Sequence, residues 1–494
     1  MRTIERAVSE VQDAIGQVWS YAEPKGTATL ASTERELWTA LLRVGRAVLA
    51  LWLARRAAES RPGIYVHDTA QFKIDPAKRR RTQVGTRFGK VDFVRSTGSA
   101  IKGRRRADLP LDREVGLCSS FSLGTVSAVV QLCALMAFGN ARRLFATFHE
   151  WAPSPRATLR MVDAVGAEAR GFLDADSVPE DDGEVLVIQV DGRGAPMISP
   201  SEYERRRKPK RRTSGNRRHA RRLRRRQHPQ LRRKKGDKSK NAKVAFVGVI
   251  YTLRSTPDGW EGPINKRLIA TFESHEALFR WLAEHAQRRG YGRKRTLFLA
   301  DGSQHIWRHY PKYFPKAIAC VDWYHVVEKL WEAGESMLPE GSASLRQWVT
   351  FQKRRLRRGK IAEIIDTITA AHDATPKTGP GNKGRRKRLL STLQYLLKHR
   401  QRMPYALLRR DDLDIGTGAV EGAVRNLVGL RLDGPGMRWG HDRAQMVLHL
   451  RCIALNDQWD DFSRYLETRP LKLAPQPYPA RPHVTRSQQF RAAA

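Results

Sequence analysis

Two short runs constrain this chain more than anything else in it. Val185-Leu186-Val187-Ile188-Gln189-Val190 and Thr296-Leu297-Phe298-Leu299-Ala300 are apolar at almost every position. A strand with one wet face alternates apolar and polar residues, so a strand that does not alternate needs cover on both faces. These runs predict central strands of a sheet layered with helices. Residues 244–252 and 267–272 read as two further strands, and 318–321 as a short one. Ser274 caps a helix through Leu278, Trp281 and Leu282, and another helix runs through Tyr324, Val327 and Leu330. The order is three strands, helix, strand, helix, strand, helix: a mixed α/β sheet with a β-meander at its front.

Other segments flank or interrupt that sheet. Residues 1–62 read as helical, with a Thr33/Glu36 capping-box pattern ahead of Leu37, Leu41, Val44, Val48, Leu51 and Trp52. The spacing suits a packing or dimerisation helix. Its most apolar stretch, 37–53, is interrupted by Arg43 and Arg46, so no membrane span is expected. Residues 63–116 are basic and read as a weakly cored β element. Residues 117–175 read as short helices. The last starts at Ser154-Pro155, buries Leu159, Val162, Val165 and Ala169, and carries Arg156 and Arg160 on another face. This pattern fits either a helix-turn-helix DNA reader or a plain helical bundle. An acidic linker, 174–183, precedes the α/β part, whose first stretch is 184–332 with a basic insertion at 205–240. A helical insertion at 333–410 bears Trp348, Phe351, Leu356, Ile361, Ile364, Ile365 and Ile368, and is split by a loop at 375–388. Residues 411–465 return to the α/β part, and 466–494 read as a disordered tail.

Charge narrows the partner. The chain has 494 residues, with 91 Lys and Arg against 50 Asp and Glu, a formal net of +41. That balance disfavours an ordinary metabolic enzyme and favours a polyanion, most often nucleic acid. Residues 205–235 have eighteen Lys or Arg and no acid, Arg217 and Arg218 among them, and such a run cannot form a packed core. Four scattered cysteines, Cys118, Cys133, Cys320 and Cys452, make neither a disulfide framework nor a cysteine zinc ribbon. They suit a reducing compartment.

Both central strands end the same way, in Asp191-Gly192 and Asp301-Gly302. Strand-Asp-Gly alone is a generic turn signal. Two such carboxylates in one sheet repel each other unless a cation lies between them. Further on, Glu421 lies in the first turn of a helix opened by Thr417-Gly418, with Arg425 one turn later. Two Asp and one Glu make a hard oxygen cage suited to Mg²⁺ or Mn²⁺, and a two-metal site of this kind acts on phosphodiesters.

These residues resemble those of bacterial insertion-sequence transposases of the DDE type, most closely the ISKra family. The resemblance covers roughly residues 85–462. It rests on Val190-Asp191-Gly-Arg-Gly, Leu299-Ala-Asp301-Gly-Ser-Gln-His-Ile-Trp307, Cys320-Val-Asp322-Trp-Tyr-His325-Val-Val-Glu-Lys-Leu-Trp331 and Gly416-Thr-Gly-Ala-Val-Glu421-Gly, continuing to Gly436-Met-Arg438-Trp439. It implies an RNase H-like catalytic domain with a helical insertion ahead of the glutamate, and Asp191, Asp301 and Glu421 as holders of the catalytic metals. Asp322 and His325 look like an auxiliary Asp-x-x-His motif, for strand-end contact or structural support. Arg438 and Trp439 become candidates for gripping an unpaired end base. Where relatives often carry a cysteine zinc ribbon, residues 82–110 have none, so zinc is not expected there.

The resemblance further implies double-stranded DNA partners (the element's inverted repeats and the target), at least a dimer when both ends are bound, and action at the nucleoid in a bacterial cytoplasm. The rival readings are a domesticated, non-catalytic DNA binder, another RNase H-like nuclease, and an RNA-packaging protein, which would explain the charge but not the carboxylates.

Overall fold

A computed structural model describes residues 4–23, 26, 28–102, 107–175, 179–199, 242–469, 471 and 473. The basic run at 205–235, with Arg217 and Arg218, and nearly all of the tail lie outside the described residues. The chain divides into two compact units, Met1–Phe172 with Asp457–Ala494, and Leu173–Asn456.

The first unit opens with helices α1 (Ile4–Trp19) and α2 (Leu30–Ala58). The capping box lies earlier than the Thr33/Glu36 pattern predicts: Thr29 caps α2 and exchanges hydrogen bonds with Ser32. A serine hydroxyl at the third helical position returns the bond that a glutamate more often makes. By length and composition alone, α2 is apolar enough to cross a membrane, with hydropathy 1.5 over its best window. This corrects the expectation above, because Arg43 and Arg46 do not lower the average enough. One side of α2 is nevertheless committed to packing. Ala50 and Leu53 join Val84, Val91, Phe93 and Leu111 in a buried cluster.

That cluster sits against a six-stranded sheet of β1 (Gly63–His67), β2 (Ala70–Thr86), β3 (Gly89–Ala100), β4 (Ala107–Asp108), β5 (Leu117–Cys118) and β6 (Phe121–Ser122). The order is β4-β3-β2-β6-β5, with β1 on β2. The region is better cored than its basic composition predicts, since Phe72, Val84, Val91 and Phe93 are all buried. Even Arg95 is buried, with its Nε 2.6 Å from Asp112. Part of the positive charge therefore serves internal ion pairs.

After α3 (Pro110–Glu114) come α4 (Leu123–Leu135), α5 (Phe138–His149) and α6 (Pro155–Asp174). The Ser154 hydroxyl accepts the Ala157 N–H, so the serine-proline start reads as the sequence predicts. Val162, Val165 and Ala169 are fully buried. Arg156 is exposed and Arg160 half-buried.

The second unit is built on a five-stranded sheet. Its strands are β7 (Val185–Pro196), β8 (Ala242–Thr256), β9 (Gly259–Thr271), β10 (Arg295–Ala300) and β11 (Ile318–Val321). Their spatial order is β11-β10-β7-β8-β9. The meander β7-β8-β9 is antiparallel, whereas β10 and β11 add parallel to β7. Val185 to Val190 are buried at every position, as the unbroken apolar run requires. Helices α7 (His275–Arg288), α8 (Gln304–Tyr313) and α9 (Trp323–Gly334) follow β9, β10 and β11. Ser274 caps α7 through the Ala277 N–H.

The acidic stretch before β7 is not only a linker. Asp182 meets the buried guanidinium of Arg289 at 2.7 Å and the Lys294 ammonium at 3.1 Å. Burial opposes its charge, but hydrogen bonds from Arg289, Thr252 and Lys294 hold its carboxyl far below the ordinary range.

Helices α10 (Ala343–Arg357), α11 (Ile361–Ala374), α12 (Asn382–His399) and α13 (Tyr405–Arg410) form the helical insertion. Leu356, Ile364 and Ile368 are buried, but Phe351 is 50% exposed beneath the Arg355 guanidinium. The loop is shorter than 375–388, because helix resumes at Asn382. The chain then returns through α14 (Gly418–Val424), α15 (Leu430–Leu432) and α16 (His441–Leu455). A last helix, α17 (Trp459–Glu467), belongs to the first unit, where the Trp459 indole N–H donates to Ser127 at 3.0 Å.

Candidate active site

Val190, Ala300 and Val321 lie side by side in register on the parallel strands β7, β10 and β11. The next residue in each case is an aspartate: Asp191 within β7, and Asp301 and Asp322 just past the ends of β10 and β11. Three carboxylates thus line the carboxyl edge of adjacent parallel strands, where ligands of open α/β sheets usually bind.

At Gly192 the chain does not turn, whereas at Gly302 it bends from β10 towards α8. Strand β7 runs on past Asp191, paired with β8 as far as Pro196 opposite Ala242. A Cβ at Gly192 would stand 3.0 Å from the Val244 side chain. One at Gly302 would overlap the ring of Tyr395 from α12. Close packing selects glycine at both positions.

Glu421 reaches this edge on α14, which two buried polar residues hold in place. The Gln189 side chain accepts the Val420 N–H at 3.0 Å and donates to the Tyr251 hydroxyl at 3.1 Å. Asp322 accepts the Thr417 N–H at 2.8 Å on one oxygen. The Thr417 hydroxyl donates to Glu421 at 2.9 Å. A π-helical turn, Arg425–Gly429, follows α14 directly.

Asp322 is fully buried and already occupied. Its other oxygen accepts the His325 backbone N–H at 2.8 Å and faces His325 Nδ1 at 2.7 Å. Burial disfavours its charge, yet the hydrogen bonds from His325 and Thr417 hold it below the ordinary carboxylate range. The His325 ring is raised to about 9, first by its hydrogen bond to Asp322 and against its burial. Asp191 is pushed up to about 6. Burial is the main cause, the Gly192 N–H opposes it, Asp301 and Glu421 add repulsion, and His325 relieves some of it.

Among the described residues, Asp322, His325 and Glu421 bring ligand atoms within 4.8 Å of one another. Both Asp322 oxygens already accept hydrogen bonds and the His325 ring, raised to about 9, is held protonated, so the carboxylates with an oxygen not so engaged are Asp191, Asp301 and Glu421. Asp301 accepts the Ser303 N–H at 2.8 Å and Asp191 the Gly192 N–H at 2.6 Å, each on one oxygen only. A crowded, partly buried carboxylate set with oxygens left over fits a hard divalent ion.

The outlying sequence candidates fare differently. Arg425 and Arg438 are exposed. Trp439 is buried, which removes it as a base-stacking platform. Its indole N–H donates to the Leu432 carbonyl at 3.0 Å, its backbone pairs with Pro196 and Ile198, and the Arg431 guanidinium lies 4.8 Å over its ring. Arg156 and Arg160 belong to the first unit. Gln189 and Tyr395 were not singled out from sequence, and Thr417 only as the opening of its helix. A lone glutamine in an apolar strand and a threonine one turn before a glutamate are visible signals for the first two, whereas nothing local marks Tyr395.

No family model matches the chain, and no curated protein matches it. Among solved structures, the Drosophila P element transposase strand transfer complex aligns with a TM-score of 0.24 and 9% identity, over 71% of this chain and 81% of that one. A likeness at that level supports no assignment by itself.

Proposed function

We propose that this chain is a DNA transposase of the DDE type, which cleaves and rejoins phosphodiester bonds at the ends of its own element. The observation that carries the reading is the pairing of Asp191 and Asp301 on neighbouring parallel strands, with the Glu421 helix fastened beside them. Counted from β7, the sheet order is 3-2-1-4-5 with only the second strand reversed against its neighbours on both sides. That order supports an RNase H-like reading of the domain, and the helical insertion between β11 and Glu421 supports the ISKra-like one.

In this reading Asp191, Asp301 and Glu421 hold Mg²⁺ or Mn²⁺. Such ions supply Lewis acidity for activating a hydroxyl and for stabilising a leaving oxygen. Asp322 keeps the His325 ring and the first turn of α14 in place. The imidazolium of His325 puts positive charge beside the carboxylates, where a phosphate must approach. Helices α4–α6 with Arg156 and Arg160, the run at 205–235, and the exposed Arg425 and Arg438 supply DNA contacts. At least two copies act together when both ends are bound.

The test is cleavage, with Mg²⁺, of a plasmid carrying the DNA that flanks the gene on both sides. Cuts at inverted repeats that vanish in Asp301→Asn support the reading. Binding without cutting in the unaltered protein, with both ends and varied metals supplied, replaces it by the non-catalytic binder.

A further inference from the structure

We propose that His275, His305 and His309 form a second metal site, for zinc or a similar transition-metal ion, where α7 meets α8. His275 is the first residue of α7, and His305 and His309 stand one turn apart on α8. The His275 ring centroid lies 5.6 Å from that of His305 and 5.9 Å from that of His309. Zinc–nitrogen bonds of about 2.0–2.1 Å at tetrahedral angles place imidazole centroids about 5 Å apart. The His275 ring thus stands near ligand spacing from the other two, but the nitrogens are not yet gathered: among the described residues only Asp322, His325 and Glu421 bring three donors within 4.8 Å. The rings are nearly parallel, at 20° and 17°, so binding requires them to turn about their terminal side-chain bonds.

The surroundings suit imidazole ligands. Glu276 stands 3.2 Å from His309 Nδ1, which leaves the outer nitrogen for an ion, the usual carboxylate–histidine–metal arrangement. Glu276 also pairs with Lys312 at 2.6 Å and accepts from the Tyr313 hydroxyl, which offsets the ammonium's charge near the site. His275 is held unprotonated at neutral pH, at about 4, by burial and by His309 and His305. A metal needs the neutral ring. Phe246 and Phe279 wall the trio with ring contacts at 3.8 and 5.2 Å. Scattered cysteines exclude a ribbon, but they say nothing of imidazole donors.

This donor set differs in kind from the carboxylate edge. Imidazoles select zinc, copper or nickel, whereas carboxylates select magnesium or manganese. The site begins four residues after Asp301, so an ion there would tie the start of α8 to α7 and stiffen the segment behind that aspartate.

The full chain, stripped with a chelator, is titrated with Zn²⁺ by equilibrium dialysis and with Co²⁺ by visible absorption. The expected result is one tightly held Zn²⁺ and a Co²⁺ band typical of nitrogen ligands. Both should be lost in His305→Asn/His309→Asn and in His275→Asn, and kept in Asp301→Asn/Glu421→Gln. Circular dichroism checks the folding of each variant. If the double variant unfolds, His305→Asn alone serves, since that ring is exposed. No retained Zn²⁺ in the full chain, or retention undiminished in the folded histidine variants, overturns the proposal.

Discussion

The Asp322 carboxylate accepts the Thr417 backbone N–H at 2.8 Å, although 95 residues separate the two. The same carboxylate holds the His325 ring. One buried group therefore ties the short strand β11, the α9 histidine and the helix that carries Glu421. This gives the Asp-x-x-His pattern a physical role as support for its neighbours. Asp322→Asn keeps the shape but weakens both attachments. Cleavage should fall by about 10–100-fold, the usual effect of a residue that orients metal ligands, with DNA binding retained. A fall as deep as that of Asp301→Asn would instead make Asp322 a ligand.

The His325 ring offers a direct reading of the same pair. In metal-free protein it should titrate near 9 by NMR, and near its ordinary value of about 6.5 in Asp322→Asn. Because the folded value is raised, the pair's contribution to stability is fully present below about 6.5 and is lost as pH rises through 9. A ring that titrates at its ordinary value in the unaltered protein would contradict the geometry.

Asp301→Asn removes one charge from the edge where Asp191 and Glu421 converge. Cleavage should fall by roughly a thousandfold or more, since the remaining donors hold a divalent ion too weakly. Binding to the same duplex should persist, because it depends on Arg and Lys contacts elsewhere. Asp191→Asn and Glu421→Gln should show the same split. A labelled end duplex assayed for cutting and for binding reads both quantities.

Asp182 bears on stability rather than chemistry. Asp182→Asn leaves the buried Arg289 guanidinium without its carboxylate and should cost about 3–5 kcal/mol. The folded carboxyl is depressed, so its contribution is present above the ordinary carboxylate range and is lost as pH falls through and below it. Denaturant melts of the unaltered protein and of the variant should therefore draw closer between pH 7 and pH 3 without meeting, because the folded carboxyl titrates well below that window.

Gly302→Ala drives a methyl group into the Tyr395 ring. The cost should be about 1–3 kcal/mol, with reduced cleavage because Asp301 is the adjacent residue. Tyr395→Leu in the same chain should restore part of both. Thermal melts and cleavage rates of the single and double variants separate the close-approach account from a turn requirement, which Tyr395→Leu would not relieve.

The central strands and the order of the α/β unit were readable because burial on both faces leaves an unmistakable apolar run at Val185 to Val190. The aspartates were readable because they end such runs. What sequence could not give was the partner across space. Gly192 and Gly302 read as turns, because the Val244 and Tyr395 side chains that require them are remote in the chain. Trp439 read as a stacking platform, because an exposed and a buried tryptophan look alike until Leu432 and Pro196 are placed beside it. The Thr29 cap was missed because its serine partner imitates a glutamate. The core of residues 63–116 read as weak because the Arg95–Asp112 pair is not visible until the two are placed together.

The bond from Val420 to Gln189 closes over 231 residues. Strand β7 is made early and the helix carrying Glu421 late, with the whole helical insertion emerging from the ribosome between them. A contact this distant cannot form until synthesis has passed it. A growing chain, or one cut short within the insertion, therefore has its aspartates in place without the glutamate. An edge that only the later helix completes stays incomplete until the chain has been made through Glu421.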